Sequence, residues 1–326
     1  MNKYILVTGG AGYIGSHTCK LLAKHGYTSI VYDNLSRGNK WSVKWGIFIQ
    51  GNISDQNKLR KIFQKYNPIA VIHFAGYAYV GESVEFPNLY YSNNVVGTSN
   101  LLEAMRLECI QNIVFSSTCA TYGIPNSIPI IEDHQQNPVN PYGRTKLIIE
   151  KMLKDYNKAY NLNYVALRYF NAAGADPEGD IGEVHNPESH LIPILLDVAL
   201  GKRDVVEIYG TDYETEDGTC IRDYIHVNDL GMAHISALDY LLKGEKSICL
   251  NLGTGKGYSV NQVIKATESI TGKKISVRTV NRREGDPPVL VSASKLIKNK
   301  LRLSNNYLSL DEQIEDAWKW HLKFFK

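Results

Sequence analysis

Short apolar strands alternate with amphipathic helices through the first half of the sequence, and this alternation constrains the fold more than any other feature. The candidate strands are residues 4–8, 29–33, 47–51, 70–75, 113–117 and 164–169. Helical periodicity covers residues 16–25, 56–66, 92–107 and 141–160. Because the strands are almost continuously apolar, we expect a parallel sheet covered by helices on both faces. The predicted fold class is α/β, a doubly wound (Rossmann) parallel sheet with a smaller C-terminal α/β substrate domain.

The amino-acid composition of the sequence changes after residue 171. Residues 174–188 are rich in Gly, Pro, Asp and Glu and are predicted to form a loop or lid, followed by a helix near residues 190–200. We predict a nucleotide-binding domain over residues 1–171 and a second domain over residues 172–326 that supplies the other wall of a cleft. Part of residues 221–252 is a candidate for returning to the first sheet.

Composition excludes several classes of function. The 36 basic and 33 acidic residues give a net charge of +3, too small to favour nucleic acid or an anionic membrane as a partner. The sequence has no apolar run long enough to span a bilayer. Its 5 cysteines are scattered and lack metal-ligand spacing. We therefore expect a reduced, cytoplasmic protein with no metal site.

A glycine-rich loop follows the first strand and opens the first helix. Gly9, Gly12 and Gly15 occupy the positions where a tight turn and a close approach of backbone to ligand need glycine. The free N–H groups and the dipole of a helix amino terminus favour an anion. The loop is therefore predicted to hold the pyrophosphate of a dinucleotide.

An aspartate ends the second predicted strand. Asp33 lies where a carboxylate can accept hydrogen bonds from the adenosine ribose diol. Because the same carboxylate would repel a 2′-phosphate, we predict NAD in preference to NADP. Arg37, a few residues further on, is the one nearby feature that argues for the phosphorylated cofactor.

Tyr142 and Lys146 form a Tyr-x-x-x-Lys pair on a predicted helix that begins at Asn140-Pro141. The two side chains are one turn apart and share a face. A free phenol has a pKa near ~10. We expect the ammonium, together with the positive nicotinamide ring, to lower the pKa of the phenol so that it serves as an acid/base near neutral pH.

A third hydroxyl is expected from the carboxyl end of the preceding strand. Thr118 is the favoured candidate because it lies furthest beyond the strand end. Ser116 and Ser117 are interpreted as residues that finish the strand by bonding to backbone.

These motifs together resemble the UDP-glucose 4-epimerases, a family of extended short-chain dehydrogenase/reductases. The resemblance covers nearly the whole chain and rests on residues 8–15, 33–35, 73–76, 80–83, 93–94, 142–146, 168–171, 210–213, 217–219, 222–227 and 283–286. It implies that Tyr142 removes the proton of the sugar 4-hydroxyl while NAD takes the hydride from C4. The resulting 4-keto sugar rotates and receives the hydride on its other face. Thr118 would hydrogen-bond the 4-oxygen.

The resemblance also implies a set of binding residues and a homodimer. Cofactor contacts are expected at Gly9, Gly12, Tyr13, Ile14, Gly15, Asp33, Asn34, Asn52, Ile53, Phe74, Ala75, Gly76, Asn94, Tyr142, Lys146 and Tyr169. UDP-sugar contacts are expected at Thr118, Asn171, His190, Leu191, Tyr209, Arg222, Arg283, Asp286 and Leu290. The apolar faces of residues 92–107 and 148–160 are candidates for the dimer contact. Asn52 and Ala78 depart from the common family residues, which predicts weaker cofactor retention.

Several alternatives remain at this point. Leu290 stands where relatives have a residue that limits the size of the sugar 2-substituent, so N-acetylated UDP-hexosamines are expected to enter as well. The run from Thr118 to Tyr122 also resembles UDP-xylose/UDP-arabinose 4-epimerases. Nucleotide-sugar dehydratases and decarboxylases are disfavoured because Cys119 and Ala120 replace the acids that those reactions need. A non-catalytic NAD-binding protein is disfavoured by the retained Tyr–Lys pair.

Overall fold

The computed structural model describes residues 3–283, 286–303 and 306–325. Its strands are β1 Tyr4–Thr8, β2 Thr28–Asp33, β3 Ile47–Gln50, β4 Ala70–His73, β5 Asn112–Thr118, β6 Asn163–Tyr169, β7 Asn171–Ala173, β8 Val206–Tyr209, β9 Ile221–His226, β10 Ile248–Leu252, β11 Gly257–Ser259, β12 Val277–Val280 and β13 Val289–Leu290. Its helices are α1 Tyr13–Lys24, α2 Gln56–Tyr66, α3 Val80–Glu85, α4 Pro87–Tyr90, α5 Gly97–Leu107, α6 Pro141–Tyr160, α7 Leu191–Ala199, α8 Val227–Leu242, α9 Val260–Thr271, α10 Lys295–Leu301 and α11 Leu310–Phe325. None of the helices in these ranges combines the length and the apolar composition that a bilayer span requires.

The six strands predicted for the first half are present as β1 to β6, with small differences at their ends. β4 ends at His73 because the N–H groups of Phe74 and Ala75 turn to bond the carbonyl of Thr8. α1 begins at Tyr13, directly after the glycine turn, and so earlier than its periodicity indicates. The predicted helix over residues 92–107 is α5 preceded by a π-helical turn, Tyr91–Val96.

All seven strands of the main sheet are parallel, in the order β10-β6-β5-β4-β1-β2-β3. Alternate residues of each strand enter different cores. In β1, Ile5 and Val7 face a core shared with α1, α8 and α10, while Leu6 faces the core under α2, α5 and α6. This confirms the doubly wound α/β class. The strand order reverses between β1 and β4, and in such sheets ligands bind beyond the carboxyl ends of the strands at this point.

A smaller unit follows β6 in the chain. β9 pairs with β7, β11 and β13 in a four-stranded sheet, and β8 pairs with β12 in a two-stranded one. Helices α7, α9 and α11 pack against these sheets around a separate apolar core, which includes Leu195, Val263 and Ile314. The chain then re-enters the main sheet, because β10 pairs in parallel with β6.

Three histidines are buried in or beside the main sheet. His73 lies between the hydroxyls of Thr8 and Thr98, at 2.6 and 2.8 Å. Burial lowers the pKa of His73 to about 3 and those of His17 and His234 to about 4. These side chains therefore fold in the neutral form.

Substituting one of these histidines should reduce the acid sensitivity of the fold. Since the folded pKa of His234 is about 4, the unfolded chain binds the extra proton as pH falls below ~6.5 and stability is lost from there downward. The loss of unfolding free energy between pH 7.5 and 5.5 should be smaller in His234→Gln than in the wild type by about 1 kcal/mol. Urea denaturation at both pH values measures this. The exposed His25→Gln is the control and should match the wild type.

Candidate active site

The loop between β1 and α1 is lined by backbone. Gly9 has a φ of +71°, and a Cβ there would lie 2.5 Å from the amide nitrogen of Ala75. A Cβ at Gly15 would lie 2.8 Å from the Cα of Gly10. Gly12 is the N-cap of α1 and has no side chain with which to cap the helix. The amino terminus of α1 is therefore open to an anionic group.

Tyr13, the first residue of α1, connects this loop to the second half of the chain. Its hydroxyl donates to the carbonyl of Gly174 at 2.6 Å. Burial raises the pKa of the phenol well above its usual value, and the nearby carboxylates of Glu183 and Glu188 raise it further. The neighbouring Ile14 packs against the core on the α1 face of the sheet.

Asp33 is fixed at the end of β2 by two backbone groups. Its Oδ2 accepts from the N–H of Ala11 at 3.0 Å, and its Oδ1 accepts from the N–H of Leu35 at 2.8 Å. The next residue, Asn34, accepts from the N–H of Ser36 at 2.9 Å and closes the turn. The carboxylate is thus held at the strand end, directly beside the glycine loop.

Arg37 has its own partners. Its guanidinium pairs with Glu82 and lies 4.8 Å from the centre of the Tyr79 ring and 5.5 Å from that of Tyr77. The positive charge nearest to Asp33 in sequence is therefore engaged with an acid and two aromatic rings.

The remaining candidate cofactor residues border the same strand ends. Phe74, Ala75 and Gly76 follow β4, and a Cβ at Gly76 would lie 3.4 Å from Asn94 Oδ1 and 3.6 Å from Lys146 Nζ. Asn94 is buried, accepting from the N–H of Tyr77 at 2.8 Å and donating to its carbonyl at 3.0 Å.

The two candidates after β3 differ in exposure. Asn52 is exposed and closes a turn by accepting from the N–H of Ser54 at 2.9 Å. Ile53 is buried and contacts the position of Gly97 at the start of α5, where a Cβ would lie 2.7 Å from its side chain.

Close packing brings the start of α6 against the end of β5. A Cβ at Gly143 would lie 2.5 Å from the carbonyl oxygen of Ala120, so only glycine allows the helix to approach the turn that follows Thr118. Asn140 caps α6 by accepting from the N–H of Gly143 at 2.8 Å. The Thr118 side chain consequently lies close enough to the phenol of Tyr142 to favour its ionised form.

The pKa values differ from the expectation for the Tyr–Lys pair. Burial raises the pKa of the Tyr142 phenol, an effect that the nearby Thr118 side chain only partly offsets. Burial also lowers the pKa of Lys146 to about 8. Lys146 Nζ donates to the carbonyl of Ser116 at 2.7 Å and lies 5.9 Å from the centre of the Tyr142 ring. In the protein without ligands, desolvation therefore dominates the pKa of the phenol. The lowering expected from Lys146 together with the nicotinamide ring stays a prediction.

The two serines of β5 make side-chain contacts and not the expected backbone bonds. Ser116 shares a very short hydrogen bond with the hydroxyl of Tyr169, at the end of β6. Ser117 donates to Glu150 Oε1 at 2.5 Å. Tyr169 also lies near enough to Tyr142 for its charge to raise the pKa of that phenol. Ser116 and Tyr169 therefore border the same space as the Tyr–Lys pair.

A buried ion pair that the sequence reasoning missed supports this wall of the site. Arg168 of β6 donates to Glu150 of α6 through Nε and Nη2, at 2.9 and 2.8 Å. Their side chains are 6% and 4% exposed. Arg168 also donates to the hydroxyl of Tyr122 at 2.7 Å, which in turn donates to Asn251 of β10. The available signal was an arginine inside an otherwise apolar strand, since a buried charge needs a partner.

The second wall carries the two candidate arginines. Arg222 is largely buried in β9 and donates to Asp286 at 2.5 Å. Arg283 lies over the ring of Tyr209, 3.9 Å from its centre. Glu284 and Gly285, which separate Arg283 from Asp286 in the recognised motif, lie outside the described residues.

Leu290, the residue predicted to limit the size of the sugar 2-substituent, lies in β13 beside Arg222 of β9. Leu290 packs in a buried cluster with Cys119, Tyr122, Ile130 and Phe170. Because Cys119 directly follows Thr118, this cluster brings Leu290 close to the Tyr142 side of the site. The nearby Arg222 acts on the pKa of Cys119, although burial dominates and raises that pKa to about 12.

Two further candidates stand at the start of α7, and one in β7. His190 is the N-cap of α7 and Leu191 is its first residue. Burial lowers the pKa of His190, but Glu183, whose Oε1 lies 2.6 Å from Nδ1, contributes to an opposite effect that raises it to about 10. Asn171 pairs with Tyr224 of β9.

Comparison with known proteins identifies the family. Residues 5–253 match the NAD dependent epimerase/dehydratase family. UDP-glucose 4-epimerases from Rhizobium meliloti and Halalkalibacterium halodurans are 51% and 52% identical to this chain, over 98% and 97% of its length and 97% and 95% of theirs. The crystal structure of UDP-glucose 4-epimerase from Brucella ovis in complex with NAD is 54% identical, with a TM-score of 0.95 over 97% of this chain and 98% of that one. The chain therefore belongs to the NAD dependent epimerase/dehydratase family.

Proposed function

We propose that this protein is a UDP-sugar 4-epimerase that interconverts UDP-glucose and UDP-galactose. The observation that carries the proposal is the placement of the buried Tyr142 phenol beside Thr118, with Lys146 one helical turn away. This arrangement supplies acid/base chemistry at one sugar carbon, close to the point where the strand order reverses. The names of the two bacterial relatives support the same assignment.

The residues of the glycine loop fit NAD. A Cβ at Gly9 or Gly15 would fill the cradle at the amino terminus of α1, so this backbone is shaped for the approach of a pyrophosphate. Asp33 is held where it would accept from the adenosine ribose. The engagement of Arg37 with Glu82 supports NAD over NADP. Bound NAD would supply the hydride chemistry, accepting a hydride from sugar C4 and returning it to either face.

The protein residues then have the task of moving one proton. Tyr142 would take the proton of the sugar 4-hydroxyl and return it after the sugar has turned. In the protein alone, burial holds the phenol in its neutral form. A positive charge brought beside it favours the phenolate, so binding of the oxidised cofactor would activate the base. Lys146, fixed on the carbonyl of Ser116, would add its own charge.

The two residues after Thr118 argue against a dehydratase or decarboxylase. Those reactions need a second acid or base, to act at a further carbon. Burial raises the pKa of the Cys119 thiol to about 12, so it remains protonated near neutral pH. Ala120 has no ionisable group. The site therefore supports reversible oxidation at a single carbon.

The second wall supports a nucleotide diphosphate as the part of the substrate that anchors the sugar. Arg222 and Arg283 present guanidinium groups suited to a diphosphate. In the protein without ligands, Arg222 is paired with Asp286 and Arg283 lies over Tyr209. We propose that Asn171, His190 and Leu191 complete the pocket around the UDP-sugar.

Removing the Tyr142 hydroxyl should abolish turnover. Tyr142→Phe keeps the buried ring but removes the acid/base group, so conversion of UDP-galactose should fall by roughly 10²–10⁴-fold. Proton NMR of the sugar anomeric signals, with NAD supplied, measures this. The control is Tyr160→Phe, which alters an exposed tyrosine on the same helix and should leave the rate unchanged. Turnover of Tyr142→Phe within a few-fold of the wild type would contradict the assigned role.

Enlarging Leu290 should narrow the range of sugars. We propose that the wild type converts UDP-N-acetylgalactosamine as well as UDP-galactose, and that Leu290→Tyr loses mainly the first activity. Because Leu290 packs against Cys119 and Phe170, the larger ring would occupy space beside the reacting sugar. The same assay with UDP-xylose tests the pentose alternative. Leu290→Met, which conserves volume, is the control; a wild type inactive on the N-acetylated sugar would refute the size argument.

We further propose how the chain divides and assembles. Residues 1–171, joined by α8 and β10, would form the nucleotide-binding unit, supported by the pairing of β10 with β6.

We also propose a homodimer. Val84, Phe86 and Val96 leave 62, 58 and 55% of their surface exposed within one stretch of the first half, which is typical of an interaction surface.

A charge placed on this surface should prevent dimer formation. Light scattering should give about twice the 36.6 kDa chain mass for the wild type and the single-chain mass for Phe86→Glu. Val277→Glu, at another exposed apolar residue in β12, should remain dimeric. A wild type of single-chain mass would refute the proposal.

A further inference from the structure

Four side chains that commonly bind metals converge in the segment before α7. They are Glu183, His185, Glu188 and His190, and one ligand atom from each lies within 4.8 Å of the others. The sequence prediction of no metal site considered cysteine spacing alone. The overlooked signal is the spacing Glu-x-His-x-x-Glu-x-His within eight residues. We propose that these four side chains form a binding site for a divalent cation of the zinc type.

The distances between the side chains suit tetrahedral coordination. His185 Nδ1 lies 3.3 Å from Glu183 and 3.4 Å from Glu188, and His190 Nδ1 lies 3.5 Å from Glu188. Ligands around zinc, with bonds of about 2.0–2.1 Å, are separated by about 3.3 Å. The fourth contact, 2.6 Å between His190 Nδ1 and Glu183, is a hydrogen bond that a cation would replace. Most of the geometry is therefore present before any ion binds.

Without an ion, the polar atoms of the cluster pair with one another. His185 Nδ1 is buried and lies near the carboxylates of both Glu183 and Glu188, without a hydrogen bond of good geometry to either. Glu183 and Glu188 are only 5 and 12% exposed. A metal bond to each nitrogen and carboxylate would satisfy these atoms together.

The charges also match. The two carboxylates carry a charge of −2, which protons on the two histidines balance when no ion is bound. A divalent cation bound to neutral imidazoles would take the place of these two protons. Imidazole nitrogen with carboxylate oxygen favours zinc or its neighbours over Mg²⁺ or Ca²⁺, which prefer oxygen alone.

A second acidic group in the chain provides the contrast. Asp176, Glu178 and Asp180 also converge, but Lys20 Nζ lies among them at 2.6, 2.8 and 2.8 Å. Lysine already supplies the positive charge there. In the cluster of Glu183 to His190, the ion pairs of residues 3–283, 286–303 and 306–325 show only the two histidines as positive partners, and a histidine can lose its proton to become a metal ligand.

The location suggests a structural role for the ion. The segment is tied to the first half of the chain, because Asn39 donates to the carbonyl of Val184 at 3.1 Å. The rings of His185 and His190 contact Tyr79 edge-on, at 6.0 and 6.4 Å between centres. A bound cation would hold this segment against the first half and fix the start of α7. His190 would bind through Nδ1, which leaves Nε2 for the substrate pocket.

Metal content and spectroscopy test the site in the full-length protein. Chain freed of tags and stripped with EDTA is titrated with Zn²⁺ alone and, separately, with Co²⁺ alone. We expect one Zn²⁺ per chain by elemental analysis, a higher Tm, and a Co²⁺ absorption spectrum of tetrahedral intensity without a thiolate charge-transfer band. An octahedral spectrum, a thiolate band or the absence of a stoichiometric metal would overturn the proposal.

Matched variants assign the metal to these residues. His185→Gln and Glu188→Gln should lose the zinc and the associated rise in Tm while still binding NAD. Glu178→Gln, in the group around Lys20, and Cys109→Ser, at an exposed thiol, should keep both. Zinc retained by a folded His185→Gln chain, or lost from either control, would refute the assignment. If the cluster variants do not fold, the Co²⁺ spectrum of the wild type decides alone.

Discussion

The buried pair of Arg168 and Glu150 holds together the part of the molecule on which the proposed chemistry depends. It joins β6 to α6, and through Ser117 and Tyr122 it reaches β5 and β10. Glu150 lies one turn beyond Lys146 on α6, which in turn lies one turn beyond Tyr142. Removing one partner of such a pair leaves an uncompensated buried charge, at a cost of about 3–5 kcal/mol. The position of the phenol thus depends on a buried ion pair about two helical turns away on α6.

The sequence predicted the main sheet well because its strands are buried on both faces. Such strands are almost uniformly apolar, and the helices between them are amphipathic, so both patterns are strong. Gln56–Tyr66 and Pro141–Tyr160 were predicted with the bounds observed. Strand ends were less predictable. β4 stops at His73 because the next two N–H groups bond the carbonyl of Thr8, a contact between residues distant in sequence.

Electrostatic behaviour was harder to predict than position. The Tyr142–Lys146 spacing correctly places both side chains on one face of α6, but it carries no information about burial. Burial raises the pKa of Tyr142 and lowers the pKa of Lys146, which is the opposite of what the two groups would do as an isolated ion pair. Likewise, the sequence predicted that Ser116 and Ser117 finish the strand by bonding to backbone. Their partners, Tyr169 and Glu150, come from elements that only the fold brings beside them. Local patterns show which groups are present; tertiary packing determines what those groups do.

The chain passes repeatedly between the core on the α1 face of the main sheet and the core of the smaller unit, and this limits how the cleft can move. After β6 it enters the smaller unit at β7, returns with α8, leaves again at β11, returns with α10 and leaves with α11. Opening about a single hinge would require all of these connections to bend together. A sugar oxidised between the two walls, as we propose, would therefore lie in a cleft whose walls the chain joins several times. On that proposal, the sugar would turn within the cleft while these connections keep the two walls together between half-reactions.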